Sequence, residues 1–402
     1  MYSRRTSTRS TKRWRLRAWI LVAAFASATL LAGLYGTARP EPASAQTTSG
    51  NAAVGAFSRG VPRDLANLHE YDADAGRNAA IAEWFQSWEP GSEGEFCVSC
   101  ARQLYDEGRE QLVTWQPQDY TLGTPDQPDY SLDAILSGRH DAYVRRYAQE
   151  IERSGVPIHL RLMHEMNANF YPYGEGLNGN TPEKYKQAWV RVYDIFQQEG
   201  ASNVKWVWGP HVGLPSHDPT YPMSAYYPGD EYVDWIALDG YNWSEVRGKP
   251  WYSFEEVFGP SYEEIVAVAP AKPLMIAEYA SDERGGDKAQ WIRDVRSVVP
   301  AKFPKIKALV WFNNDQEGAL WRIDSSPAAL EAYQELVADP YFQGADLHKL
   351  TTLTLSASPT LVDYDGTTTL SGKLSASSGA AVPGRTVEVW HSNDSGSTRG
   401  DS

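Results

Sequence analysis

The chain has 402 residues, 42% hydrophobic and 22% charged, with a formal net charge of −14. That composition excludes a wholly disordered or fibrous chain, and the length allows one barrel of about 250 residues plus small additions. The acidity argues against a nucleic-acid partner, because no basic stripe exists outside the N-terminal segment.

That segment comes first. Residues 4–17 are rich in Arg and Lys, Ala18 to Gly36 is apolar, and Ala43-Ser44-Ala45 follows. A basic region, an apolar core and an Ala-x-Ala site describe a secretory signal peptide over 1–45. The apolar run approaches the length of a membrane span, so an uncleaved leader would act as a signal anchor. The chain is therefore expected to be secreted and extracellular, or held at the cell surface by that anchor. Residues 46–53 are small and polar and read as a linker.

From Val54 onward, apolar β-rich runs alternate with helical patterns. The expected strands are Val54–Phe57, Ile81–Trp88, Gln111–Trp115, Ile158–Met163, Val204–Trp208, Trp235–Leu238, Leu274–Ala277 and Ala308–Trp311. Between the third and fourth, Tyr143, Tyr147 and Ile151 recur at helical spacing over Asp141–Ser154. After the fourth, Thr181-Pro182-Glu183 supplies a cap and a first-turn proline for a helix over Thr181–Glu199. Alternating β and α units imply a parallel sheet covered by helices, and eight of them favour closure as a (β/α)8 TIM barrel over 54–345. No Gly-x-Gly-x-x-Gly turn follows the first strand, so nothing supports a dinucleotide cofactor.

The two cysteines, Cys97 and Cys100, form a Cys-x-x-Cys pair. Redox, zinc and local-disulfide readings all fit that spacing. The export signal favours the disulfide, and the lack of a second pair weakens zinc. His217-Asp218 has no third ligand nearby, so no metal and no other cofactor is expected. Beyond the barrel, Leu350–Val389 alternates Thr, Ser and Val between Gly-punctuated turns. Residues 346–402 thus read as a partial Ig-like β segment, too short for a full sandwich of about 100 residues, with a disordered end.

Barrel chemistry sits at the C-terminal ends of the strands. Strand four ends in His164-Glu165-Met166-Asn167, and strand seven ends in Ala277-Glu278-Tyr279. Two carboxylates facing each other across a barrel mouth, about 5–5.5 Å apart, perform retaining glycoside hydrolysis. The plainer alternative is that each Glu caps a strand or pairs with an Arg, for which Arg161 is available. Trp88, Trp115 and Trp208, at the ends of strands two, three and five, are placed to line sugar subsites.

His164-Glu165-Met166-Asn167, the following Tyr171-Pro172-Tyr173-Gly174, and Ile276-Ala277-Glu278-Tyr279 together resemble glycoside hydrolase family 26 over about residues 54–342. The resemblance implies a retaining endo-β-glycanase without metal or cofactor, most often a β-1,4-mannanase, with β-1,3-1,4-glucanases and β-1,3-xylanases as relatives. It implies Glu165 as acid/base and Glu278 as nucleophile. His164 would contact the sugar 2-hydroxyl, Tyr241 would hydrogen-bond the nucleophile, and Trp311 would stack under the cleaved sugar. Asn167 and Tyr171 of the same motif complete the expected sugar contacts. Mannanases of that family often carry Trp where this chain has Tyr171 and Tyr173, and Gly where it has Ala168. A glucanase specificity therefore stays open. So does a non-catalytic polysaccharide-binding barrel, although such barrels usually lose one carboxylate. The expected partner is a polysaccharide, and nothing in the sequence calls for more than a monomer.

Overall fold

The computed structural model describes residues 51–91, 94–213 and 220–344, and the backbone of two strands at 351–358 and 369–376. Eight parallel strands run in chain order: β1 (Ala53–Phe57), β2 (Ile81–Ser87), β3 (Glu110–Gln116), β4 (Ile158–Leu162), β5 (Val204–Trp208), β6 (Trp235–Asn242), β7 (Leu274–Ser281) and β8 (Ile306–Phe312). Each pairs with the next, and β1 pairs with β8 from Ala53↔Ala308 to Phe57↔Phe312, which closes the barrel. β1 begins at Ala53, one residue inside the expected linker.

The long crossover helices are α1 (Ala66–Ala75), α2 (Val98–Asp106), α4 (Asp141–Ser154), α5 (Pro182–Gln198), α6 (Phe254–Val268), α7 (Lys288–Lys302) and α8 (Pro327–Ala338), with a single turn, α3 (Leu132–Leu136), before α4. Thr181 caps α5 by accepting from Lys184 N–H, and Pro182 fills the first helical position. Cys97 and Cys100 are joined as a disulfide across the first turn of α2, the local pairing expected of them.

Strand alternation divides the core in two. Ile81, Leu112, Val207, Ala237, Met275, Ala308 and Val310 fill the barrel lumen. Residues of opposite parity, among them Trp84, Trp115, Trp208, Leu309 and Trp311, face outward into the larger core with the helices. One position breaks the alternation. Leu238 pairs with Ile276, but Asp239 pairs with Glu278, so Ala277 is an extra residue on β7. This bulge turns Glu278 inward directly after inward-facing Ala277, a common use of bulges beside functional sites.

A separate two-stranded antiparallel unit pairs β9 (Thr351–Ser358) with β10 (Thr369–Ala376), from Thr351↔Ala376 to Ser358↔Thr369. The expected leader (1–45), most of the linker, and the rest of the Ig-like segment with its end lie outside the described residues. Among the described residues, no helix is long and apolar enough to cross a membrane.

Candidate active site

The lumen is not wholly apolar. Towards the mouth it holds Glu83 on β2, Thr114 on β3, Arg161 on β4, Asp239 on β6 and Glu278 on β7, with Glu83, Arg161 and Asp239 at 0% exposure. Arg161 has room because Gly209, just past β5, lacks a side chain; a Cβ there would come 3.3 Å from Arg161 Cδ. Its guanidinium donates to Glu278 Oε1 at 2.5 Å, to Glu83 Oε1 at 2.6 Å, to Asp239 Oδ1, and to Thr114 Oγ1. Burial works against the Arg161 charge, but Asp239, Glu83 and Glu278 together hold its pKa well above the ordinary value.

Glu278 is thereby fixed on one side by Arg161. On the other, the Tyr241 hydroxyl donates to its Oε2. Burial, and then the Glu278 charge, raise the Tyr241 pKa well above the usual phenol value, so Tyr241 remains a donor.

Glu165 is held differently. The chain leaves β4 through two residues in the left-handed region, Met163 (φ 45°) and Glu165 itself (φ 51°), a costly conformation for residues with side chains. The Glu165 N–H anchors the turn on Gly209 C=O at 2.8 Å. Among the described residues no Arg or Lys pairs with the Glu165 carboxylate; the Tyr171 hydroxyl hydrogen-bonds it, and His211 Nε2 lies 4.0 Å from its Oε1. Burial first, and the Glu278 charge second, push its pKa up to about 8. The two carboxyls, one just past β4 and one on β7, thus have different surroundings, Glu278 with an Arg and a Tyr donating to it and Glu165 without that Arg.

His164 stands between them. Its Nε2 lies 3.6 Å from Glu278 Oε1 and 3.9 Å from Glu165 Oε2, so both carboxyls neighbour one imidazole nitrogen. Burial and the nearby Arg161 charge hold the His164 pKa well below its ordinary value, which keeps the ring neutral. Tyr173 Oη lies 3.2 Å from Nδ1. With Tyr173 donating, Nε2 carries the ring proton and points it into the site. His164, Asp239 and Glu278 each present an atom within 4.8 Å of the others, a spacing that suits a metal ion. Arg161 already hydrogen-bonds both carboxylates of that trio and supplies the positive charge there.

Glu165 and Glu278 open into a cleft of about 690 Å³. Phe170, Tyr171 and His211 line it, as do Tyr241, Trp243, Tyr252 and the loop residues Gln316 and Glu317. Trp243, Tyr252, Gln316 and Glu317 were missed in the sequence, although they follow β6 and β8 at the mouth.

The tryptophans expected to stack on sugar are elsewhere. Trp311 is fully buried. It lies edge-on to Tyr279, Trp291 and Tyr333, and its indole N–H donates to Trp321 C=O at 2.8 Å. Trp115 stacks on Tyr147 of α4, and Trp88 packs on Trp115 and Tyr143. Trp208 is buried against Tyr227. All four expectations are corrected by strand parity: these rings cement the sheet to the helices. Asn167 is corrected too. Its buried side-chain amide clamps the His211 backbone, donating to C=O and accepting from N–H, each at 2.9 Å. Trp311→Ala is expected to lower stability by about 3–5 kcal/mol in urea unfolding, the range for a large buried aromatic. A stacking platform would instead raise KM and leave stability unchanged.

An eight-stranded parallel barrel with two buried glutamates at the floor of an open cleft, one just past β4 and one on β7, has the architecture of a glycoside hydrolase. The sequence pattern of glycosyl hydrolase family 26 matches residues 109–297, and the barrel belongs to that family. Endoglucanase H of Acetivibrio thermocellus is 34% identical over 314 residues, which is 77% of this chain and 33% of that protein. A mannan endo-1,4-beta-mannosidase of Bacillus subtilis is 27% identical over 197 residues, 47% of this chain and 46% of the relative. The chain thus spans about a third to a half of the length of these relatives. Among solved structures, a modular endo-beta-1,4-mannanase from Cellulomonas fimi superposes with a TM-score of 0.57 at 19% identity, covering 76% of this chain and 77% of the other. At that identity the likeness speaks to the fold.

Proposed function

We propose that this chain cuts internal β-linkages of a polysaccharide by double displacement. The observation that carries the reading is the unequal pair: Glu278 held by Arg161 and Tyr241, Glu165 pushed up to about 8 beside it. Glu278 attacks the anomeric carbon while Glu165 gives its proton to the departing oxygen. Glu165, now ionised, takes a proton from water, which attacks the same carbon and releases Glu278. Tyr241 orients the nucleophile. His164 Nε2–H is placed to donate to a sugar hydroxyl between the two carboxyls. Tyr171 tunes Glu165 and, with Phe170 and Trp243, offers rings to the polymer. Export follows from the basic and apolar leader, and the barrel works as a monomer.

The first substrate in this reading is β-1,4-mannan, the substrate in the name of several relatives. A second reading, a β-1,3-1,4-glucan, is favoured by the 34% identity to an endoglucanase across 77% of the chain and by tyrosines at 171 and 173. The test is reducing-sugar release by residues 46–402 on galactomannan, glucomannan, barley β-glucan, β-1,3-xylan and carboxymethylcellulose. Release from both mannans alone supports the first reading. Release from barley β-glucan alone moves the assignment to the second. A folded protein silent on all five would overturn the hydrolase reading for these polymers.

A further inference from the structure

The lumen behind the site holds more acid than the double displacement uses. Among the described residues, Arg161 is the one cation in hydrogen-bond contact with three carboxyls, those of Glu83, Asp239 and Glu278. The other titratable groups facing this cluster are Glu165, neutral His164 and the Tyr241 hydroxyl, which keeps its proton. Three ionised carboxylates would leave two negative charges without compensation at full burial, a state that groups of this kind escape by taking up protons.

The hydrogen bonds indicate which carboxyls do so. Glu83 Oε1 accepts from Arg161 and from the Thr114 hydroxyl at 2.8 Å, but its Oε2 is buried without a donor. Asp239 repeats the pattern: Oδ1 accepts from Arg161 and Oδ2 is buried without a donor. Glu278 differs, because each of its oxygens receives a donor, Arg161 on one and Tyr241 on the other. An ionised carboxylate spreads its charge over both oxygens, and only Glu278 is equipped on both.

We infer that Glu83 and Asp239 are neutral carboxylic acids in the working protein, positioning residues that fasten Arg161 through one oxygen each while leaving its charge to Glu278. Their protons occupy Oε2 and Oδ2, the oxygens without donors. The electrostatics agree: burial, with a push from Glu278 and against the pull of Arg161, drives Glu83 up to about 8 and Asp239 well above the usual range. The role as positioning residues rests on reading Glu278 as the nucleophile. The neutral state does not.

The test uses the full chain and the isosteric variants Glu83→Gln and Asp239→Asn, which keep the accepting oxygen and remove the titration. Infrared spectra in heavy water at pH 6 should show the carbonyl stretch of neutral acid, reduced in each variant. Melting temperature supplies the second readout. The folded pKa of Glu83 lies above its unfolded value, so the stability it contributes is complete below about pH 4.5 and lost as pH rises towards 8. Glu83→Gln escapes that loss, so its melting temperature should gain on the parent's between pH 5 and 8. An unchanged neutral-acid band, or a melting deficit constant with pH, would overturn the inference. If the band falls as expected but Glu278→Ala is fully active, the catalytic reading fails and the neutral acids stand. If the band is unchanged and Glu278→Ala is dead, the reverse holds.

Discussion

Glu278→Ala is expected to lose activity on every substrate by on the order of 10⁴-fold or more, because in the proposed double displacement Glu278 forms the glycosyl–enzyme bond. Glu165→Ala should behave differently. It should fail on polysaccharide, whose departing oxygen needs a proton, yet complete the first step on aryl glycosides with strongly acidic leaving groups. The second step then lacks its base, and added azide, a nucleophile that needs none, should restore turnover. The pH profile separates the two roles further. Glu165 must be protonated at the start, and its pKa is pushed up to about 8, so the parent should lose activity as pH rises through 8. On activated aryl substrates with azide, Glu165→Ala should show no such alkaline limb. Retention of near-normal activity by Glu278→Ala would overturn the assignment. So would an initial product of inverted configuration by NMR.

The barrel and the carboxyl pair were legible in the sequence for the same reason. Strands buried on both sides read as apolar runs, and a carboxyl ending such a run stands out. Trp115, Trp208 and Trp311 were misread because their place at strand ends was weighed and their parity was not. On β8, Ala308 and Val310 face the lumen, so Trp311 faces the helices and Phe312 faces the mouth. Phe312 does stack on Phe57 and lie edge-on to Tyr241. Applied in the sequence, the same alternation places Glu83, Thr114, Arg161 and Asp239 together in the lumen. Glu278 could not be placed this way: counting from Met275 turns it outward, and only the bulge at Ala277 reverses that. A bulge is a matter of pairing between strands, and neither strand alone encodes it visibly. Trp243, Tyr252 and Glu317 lie on loops, where no periodicity carries a signal.

Arg161→Met should be the most damaging substitution for stability in the site. The guanidinium is the common donor to Glu83, Asp239 and Glu278, so its removal leaves three buried carboxyls with fewer partners and no cation. Removing one partner of such a buried cluster costs about 3–5 kcal/mol. Glu278 also loses the donor on one of its two oxygens and the positive charge that orients its carboxylate, so activity at neutral pH should fall by on the order of 10³-fold, equivalent to about 4 kcal/mol of transition-state stabilisation. The two effects respond to pH in linked ways. Carboxyls whose folded pKa is raised stabilise the fold at low pH and lose that contribution as pH rises, so the deficit of Arg161→Met in urea unfolding should be smallest near pH 5 and grow towards pH 8. Arg161→Lys returns the charge without the planar fork that reaches four acceptors, and should recover part of the stability and little of the rate. If Arg161→Met unfolds at the parent's urea concentration at pH 8, the cluster contributes nothing to the fold. Glu278 would then owe its reactivity to Tyr241 and His164 alone.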